Sequence, residues 1–504
     1  MTQTALALTE LKSLLNEVCD LNNANAVLGW DQSTYMPSGG GATRGRQMAT
    51  LEKIAHEKLT APRTGELLEN LKSYEQELPY DHDDAALLRL ARRYYEQATK
   101  VPSEFLAAFS EHSSNTYLAW VKARPANDFK SVQPLLKKTL DMSRQLAEYY
   151  GYDEHIADPL INLADYGMKA STIRALFAEL RSELVPLVKT ITEQPLADDS
   201  CLLQHYPEAQ QFAFSTPIIK RFGYDFERGR QDKTAHPFMT KFANGDVRIT
   251  TRVKEHDFSE AFFSTTHETG HALYEQGINP AFDGTFLDNG TSSGVHESQS
   301  RTWENLVSRS RAFWSYYYPS LQQQFPAQLN QVSLDTFYRA INKVQRSLIR
   351  TDADEVTYNL HVMIRFELEL QMLEGKLAVK DLPEAWNAAY QNDLGITPPN
   401  DSNGCMQDVH WYGGRIGGVF QSYTIGNILS AQFFESALKA YPDINNEIAQ
   451  GQFSTLHHWL KTNIYQYGSK FTANKMIERA TGRGLDIAPY MQYLRTKYGE
   501  LYTL

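Results

Sequence analysis

The chain has 504 residues, of which 42% are hydrophobic, 22% charged and 12% aromatic. This is the composition of a folded globular protein, and it excludes a mainly disordered or collagen-like chain. With 49 basic against 60 acidic residues the net charge is -11. Because no long basic run is present, we expect neither a nucleic-acid nor a membrane partner.

The cysteines favour a reducing compartment. The chain has three cysteines, Cys19, Cys201 and Cys405. Because the number is odd and the spacing wide, they predict neither a disulfide framework nor a CxxC site. The N-terminal segment lacks the basic and apolar regions of a signal peptide. We therefore expect a cytoplasmic protein. Residues 416–434 are uncharged but rich in Gly, Gln, Ser, Thr, Tyr and Asn, which favours a buried or site-lining segment over a membrane span.

Most of the chain shows apolar residues at the three- to four-residue spacing of a helix. The predicted helices span residues 5–28, 83–98, 132–150, 170–192, 334–349 and 355–374. Alternating apolar residues predict a strand over Asp246–Val253. Loops are predicted at about 193–212, at Asn279–Gly294 and at Asn392–Gly404. No linker divides the chain, so we expect one large, mainly helical domain, with two lobes around a groove.

The sharpest motif is an H-E-x-x-H segment, His267-Glu268-Thr269-Gly270-His271. It lies in a predicted helix over Asp257–Gln276, with Asp257 as N-cap. Positions i and i+4 share a helix face, so His267 and His271 can bind one metal ion. Glu268 is placed to act as a general base on a water held by that ion.

The third ligand is less clear from the sequence. Glu275 shares the face of the two histidines but lies about 12 Å from His267 along the helix axis. Glu297, which follows a Gly- and Asp-rich loop at the start of a second predicted helix, can complete a His2Glu site and leave one position open. A first-turn acid that merely complements the helix dipole is the alternative, and His296 is a competing ligand.

The chain resembles the carboxypeptidase Taq family of metal-dependent carboxypeptidases. The resemblance rests on six motifs in chain order, together with Trp30-Asp31-Gln32 and Met36-Pro37 near the N-terminus. The motifs are His236-Pro237-Phe238, Asp246-x-Arg248-x-Thr250, HETGH at 267–271, His296-Glu297-Ser298-Gln299, Ile349-Arg350-x-x-Ala353-Asp354 and Gly404-x-x-Gln407-Asp408-x-His410-Trp411. No motif position departs from the family pattern.

The resemblance implies a mainly α, neurolysin-like zincin fold with a small β-sheet beside a deep groove. A single catalytic domain would span residues 1–504, with the metal site in 267–297 and groove motifs in 236–250, 349–354 and 404–411. His267, His271 and Glu297 would bind Zn2+ or Co2+, with Glu268 as general base and acid. The family is usually dimeric, so a homodimer is expected.

The resemblance also implies substrate-binding residues. The segments containing His236 and Arg248 would line the closed end of the groove and limit peptide length. Arg350 would help to bind the C-terminal carboxylate, which suits the bidentate guanidinium. An ion pair with Asp352 or Asp354 is the structural alternative for Arg350.

Further polar residues follow in the last motif and after it. Gln407 and Asp408 lie in a predicted loop and are expected to bind substrate or orient a neighbour. His410 and Tyr423 can each donate to a developing oxyanion. For Tyr423 the alternative is a core tyrosine with a satisfied hydroxyl.

The sequence therefore predicts a metallocarboxypeptidase that releases single residues from peptides with a free C-terminus. An oligopeptidase that cuts internal bonds has the same metal site without a carboxylate clamp. A helical scaffold with a structural metal is the alternative from another class. The open coordination position and Glu268 argue against the scaffold, because structural zinc sites favour four protein ligands.

Overall fold

Helices make up most of the structure, as the periodicity predicts. The computed structural model describes residues 2–504 and contains, over that range, 23 α-helices and one three-stranded sheet. The chain divides into two compact units, each built from three segments. The prediction of one catalytic domain over 1–504 with a groove stays a prediction.

The first unit contains the chain up to Thr99, Asp199–Ile341 and Ser430–Gly484. Its helices are α1 (Gln3–Thr34), α2 (Gly41–Leu59), α3 (Pro62–Asn70), α4 (Lys72–Glu77), α5 (Asp83–Lys100), α10 (Glu208–Phe222), α11 (Phe258–Gly277), α12 (Ser293–Arg301), α13 (Arg311–Gln324), α14 (Pro326–Leu329), α15 (Leu334–Ile341), α20 (Ile444–Ile448), α21 (Ser454–Asn463) and α22 (Ala473–Thr481). A π-helix, Thr302–Ser308, continues α12 directly.

The second unit contains Lys100–Asp198, Asn342–Leu429 and Leu485–Leu504. Its helices are α6 (Ser103–Ala123), α7 (Phe129–Tyr150), α8 (Asp158–Ile161), α9 (Ala170–Thr192), α16 (Tyr358–Leu373), α17 (Leu382–Leu394), α18 (His410–Gly413) and α23 (Ala488–Tyr502). Helix α19 (Gln421–Ala440) begins in this unit and ends in the first.

The sheet lies in the first unit and packs against α11. Its strands are β1 (Gln231–Lys233), β2 (Met239–Ala243) and β3 (Asp246–Thr251), in the order β1-β3-β2. The central strand β3 pairs in parallel with β1 and antiparallel with β2. It buries Val247 and Ile249 completely, as the alternation of apolar residues predicts.

One helix is shorter than predicted. The pattern over 334–349 predicts a continuous helix, but α15 ends at Ile341. In the following segment the amide of Val344 donates to the Tyr502 hydroxyl, and the amide of Gln345 donates to Asp354. These two side chains satisfy the backbone amides in place of helical bonds, so packing overrides the local helical preference.

The uncharged segment 416–434 forms the Gly-rich approach to α19 and much of that helix, and most of its side chains are buried. Among residues 2–504, none of the helices combines the length and apolar character needed to cross a membrane.

Candidate metal centre and carboxylate-binding cluster

Helix α11 presents the two histidines of the HExxH segment on one face. The helix begins with Asp257 as N-cap, whose side chain accepts a hydrogen bond from the Ser259 amide. This cap satisfies an otherwise unpaired amide and fixes the start of the helix. His267 and His271, one turn apart, then point toward the same neighbouring helix, α12.

Close packing of α11 against α12 brings Glu297 to the histidines. A Cβ at Gly270 would lie 2.5 Å from the Gln299 carbonyl oxygen and 2.5 Å from the Ser300 Cα. Only a residue without a side chain permits this approach. Helix α12 is itself capped by Ser292, which accepts from the Val295 amide.

The donor atoms of His267, His271 and Glu297 all lie within 4.8 Å of one another. The Glu297 Oε2 is 3.7 Å from the His267 Nε2 and 3.5 Å from the His271 Nε2. Tetrahedral zinc with bonds of about 2.0–2.2 Å needs donor atoms about 3.3–3.5 Å apart. The two distances from Glu297 are therefore close to those of a zinc site, while the ligand assignment itself stays a prediction.

His296 and Glu275, the other ligand candidates, lie in a hydrogen-bonded chain behind His271. The His271 Nδ1 is 2.6 Å from the His296 Nδ1, and the His296 Nε2 is 2.9 Å from the Glu275 Oε1. Glu275 also accepts from Lys241 at 3.1 Å. With both ring nitrogens engaged, His296 acts in this structure as the partner that orients His271.

A residue that the sequence analysis missed orients the other histidine. Glu304 lies in the π-helix, and its Oε2 is 2.8 Å from the His267 Nδ1. Arg301 bridges Glu297 and Glu304, at 2.7 and 3.1 Å. In the sequence, the pattern that could have identified Glu304 is its seven-residue spacing from Glu297, which places both residues near one helix face.

Charge and burial set the protonation of these groups in the metal-free protein. Burial raises the pKa of Glu268 to about 7, although His267 opposes the rise. Burial lowers the pKa of His271 to about 4, so its ring is neutral at pH 7 and ready to bind a metal ion. Burial would raise the pKa of Glu297, but Arg301 and the two histidines bring it well below its usual value.

The residues predicted at the closed end of the groove lie at the sheet. Arg248 forms a bidentate ion pair with Asp246, at 2.8 and 2.7 Å. Its guanidinium also lies over the rings of Trp30 and Phe242, at 4.3 and 4.8 Å from their centroids. His236 is exposed in the loop between β1 and β2. Roles for Arg248 and His236 in substrate binding stay predictions.

In the second unit, Arg350 lies in a buried polar cluster. Its Nε is 2.6 Å from the Asp408 Oδ2, and its Nη1 donates to the Tyr358 hydroxyl at 2.9 Å. The expected alternative partner, Asp354, instead accepts from the amides of Val356 and Thr357. The ion pair of Arg350 is therefore with Asp408, and not with Asp352 or Asp354.

Gln407 holds this cluster together. Its Oε1 accepts from the Arg350 amide at 3.0 Å and from the Arg365 Nη2 at 2.8 Å. Its Nε2 donates to the Leu348 and Asn403 carbonyls. All four hydrogen-bonding positions of the amide are used within the protein, so Gln407 positions Arg350, and a direct contact with substrate stays a prediction.

Arg365 is a second arginine that the sequence analysis did not single out. It is fully buried, and its Nε is 3.0 Å from the Asp408 Oδ2. Two arginines thus share one carboxylate, which leaves the Arg350–Arg365–Asp408 cluster with a net charge of +1. An arginine inside the apolar run HVMIRF was the available signal, since an unpaired buried charge is rare.

His410 and Tyr423 form the accessible side of the cluster. The His410 Nδ1 bonds to Asp408, and its Nε2 is 3.5 Å from the Tyr423 hydroxyl. The Arg350 guanidinium lies 5.3 Å from the centroid of the Tyr423 ring. The His410 side chain is 25% exposed, against 8% for Arg350. His410 is therefore more accessible than Arg350.

Comparison with known proteins agrees with these observations. The model of the carboxypeptidase Taq (M32) metallopeptidase family matches residues 10–498. Thermostable carboxypeptidase 1 of Thermus thermophilus is 39% identical, with 98% of this chain and 99% of the relative covered. Carboxypeptidase 1 of Bacillus subtilis is 37% identical, with 98% of each covered.

The crystal structure of the M32 carboxypeptidase from Deinococcus radiodurans R1 superposes with a TM-score of 0.96 at 49% identity. The superposition covers 99% of this chain and 100% of the Deinococcus chain. The family and the mainly α fold predicted from the motifs are thereby confirmed, and neither alternative function finds support among these relatives. The chain belongs to the carboxypeptidase Taq (M32) family and is a metallocarboxypeptidase, an enzyme that uses a divalent metal ion to hydrolyse peptides.

Proposed function

We propose that His267, His271 and Glu297 hold a zinc ion, with cobalt as a functional substitute. The observation that carries this proposal is the distance of the Glu297 Oε2 from the two histidine nitrogens, 3.7 and 3.5 Å. Two nitrogen donors and one carboxylate oxygen, with one position open, are the donor set of catalytic zinc. When bound, the ion supplies Lewis-acid polarisation of the scissile carbonyl and of water.

Glu268 is the general base and acid of the proposed reaction. Its side chain is 7% exposed, and burial raises its pKa to about 7. Such a carboxyl group can accept the proton of the attacking water and then donate it to the leaving amine near neutral pH. Glu304 supports this site, because its bond to the His267 Nδ1 leaves the Nε2 free to bind metal.

Arg350 binds the C-terminal carboxylate of the peptide. The last peptide bond is then the one presented for hydrolysis, so the product is a single amino acid. The net positive charge of the Arg350–Arg365–Asp408 cluster favours an anionic ligand. His410 and Tyr423 then bind either that carboxylate or the oxyanion of the tetrahedral intermediate, as hydrogen-bond donors. The segments of His236 and Arg248 limit peptide length at the closed end of the groove.

A peptide ladder tests these proposals directly. The purified enzyme is stripped with a chelator, reconstituted with zinc or cobalt, and incubated with a peptide whose products are followed by mass spectrometry. We expect stepwise loss of single residues from the C-terminus, abolished by the chelator and restored by either metal. Internal cleavage products would overturn the proposal that Arg350 binds the C-terminal carboxylate of the substrate.

Glu297→Ala tests the ligand assignment, with Glu275→Ala as the matched control. Both variants remove a buried glutamate, but Glu275 contacts Lys241 and His296 and faces away from the three donor atoms. Elemental analysis of the folded proteins should show metal loss in Glu297→Ala only. Equal metal content in the two variants would mean that the third ligand lies elsewhere.

A homodimer and a cytoplasmic location are further parts of the proposal. The homodimer is supported by the family resemblance, and the location by three cysteines without disulfides. Analytical ultracentrifugation should give twice the chain mass of 57.4 kDa. Fractionation of cells should recover the enzyme with cytoplasmic markers.

A further inference from the structure

A cavity of about 740 Å³ lies in the second unit beside His410. One wall is a face of α6 that carries Ser110, Ser113, Ser114, Tyr117 and Leu118. The opposite wall is the segment that follows the last family motif, with Val409, Gly413, Gly414, Arg415 and Val419. Its volume is that of a small-ligand site.

The cavity and the Arg350–Arg365–Asp408 cluster have one neighbour in common, His410. His410 lines the cavity, and its Nδ1 bonds to Asp408, the ion-pair partner of Arg350. His410 therefore belongs both to the wall of the cavity and to the surroundings of Arg350, the residue that we propose for the substrate carboxylate.

The charge of the lining is one-sided. The lining residues of the cavity include no Asp or Glu, whereas His410 and Arg415 contribute positive charge or hydrogen-bond donors. The Arg415 guanidinium donates to the carbonyls of Gly417 and Gly418, and Glu369, which attracts its charge, is buried and does not line the cavity. Tyr117, Leu118, Val409 and Val419 provide apolar surface, and the three serines provide hydroxyl groups.

We propose that this cavity binds the side chain of the C-terminal substrate residue and selects against lysine and arginine. The inference rests on the proposed role of Arg350. Uncharged side chains pack on the apolar wall of the cavity, and acidic side chains are attracted by its charge. A basic side chain meets like charge and no carboxylate among the lining residues, which lowers its affinity relative to the others.

Ser114 is the position at which to change this selectivity. It lies on the exposed face of α6, so a charged residue there should not disturb the core. Ser114→Asp adds a carboxylate to the cavity, and Ser114→Lys adds a second positive charge. Asn115→Asp is the matched control, because Asn115 is exposed in the same helical turn but does not line the cavity.

The assay measures kcat/KM for peptides that differ only in the last residue, Leu, Glu or Lys. The ratio of the Lys to the Leu value cancels any loss of active enzyme. The wild type should favour Leu over Lys. Ser114→Asp should raise the Lys/Leu ratio about two- to fivefold, the range of a partly exposed ion pair, and Ser114→Lys should lower it. Asn115→Asp should leave it unchanged.

A second peptide series, varied only in the penultimate residue, identifies the side chain concerned. A change in selectivity for the penultimate residue and not for the last would overturn the proposal. Equal Lys/Leu ratios in Ser114→Asp and Asn115→Asp would also overturn it. In either case, release of C-terminal residues by the wild type would leave the proposed function intact. A wild type that releases no C-terminal residue would overturn both.

Discussion

Substitution of Arg350 should separate recognition of the substrate carboxylate from general support of the fold. In Arg350→Ala, Asp408 keeps Arg365 at 3.0 Å and His410 as partners. The remaining carboxylate is therefore still compensated, and we expect the protein to fold and to bind metal normally. What disappears is the guanidinium that we propose for the substrate carboxylate.

The size of the effect follows from the burial of Arg350, whose side chain is 8% exposed. Two unit charges about 4 Å apart interact by about 4 kcal/mol at an effective dielectric constant of about 20. Loss of one partner of such a desolvated pair costs about 2–4 kcal/mol. The value of kcat/KM for free-acid peptides should therefore fall about 30- to 1000-fold.

The assay compares each peptide with its C-terminally amidated form, in the wild type and in Arg350→Ala. Amidated peptides should be poor substrates of the wild type, and the substitution should affect them much less. Arg350→Lys, which keeps the charge but not the bidentate geometry, should lie between the two. Equal losses on acid and amide substrates would refute the reasoning and make Arg350 a structural partner of Asp408.

Three further predictions concern single side chains. Glu268→Gln should keep its metal and lose at least about 100-fold in turnover, because an amide cannot accept a proton; normal metal content with more than about a tenth of the activity would contradict this. Glu304→Gln should weaken zinc binding about 10- to 100-fold, measured by competition with a chelator, because His267 loses its carboxylate partner. Unchanged affinity would remove Glu304 from the metal site. Burial raises the pKa of Glu369 to about 7. The folded state therefore binds the proton of this carboxyl group more tightly than the unfolded chain does. The free energy of unfolding should fall as pH rises from about 4.5 to 7. Over that range the free energy of unfolding of the wild type should fall by about 3 kcal/mol relative to that of Glu369→Gln. Melting temperatures of the two proteins across the pH range test this, and a difference that does not change with pH would exclude the effect.

The sequence alone determined the relative placement of three residues of the candidate metal site. His267, Glu268 and His271 lie within one helical turn, and helix geometry fixes their relative positions once Asp257 caps the helix. The alternation over Asp246–Val253 likewise predicted a strand, which the structure shows over Asp246–Thr251, because the apolar side must be buried. Local periodicity was sufficient in both cases.

The tertiary structure decided which residues meet across long separations in the chain. The proximity of Glu297, and not His296, to the two histidine Nε2 atoms depends on the approach of α12 to α11, which Gly270 permits. The partner of Arg350 is Asp408, 58 residues away, although Asp352 and Asp354 are nearer in the chain. The end of α15 at Ile341 also depends on packing, since the Tyr502 hydroxyl and the Asp354 carboxylate accept hydrogen bonds from the amides of Val344 and Gln345. Helical spacing reports only neighbours within a turn or two, whereas buried charges and backbone groups take whichever partners the packing brings within hydrogen-bond distance.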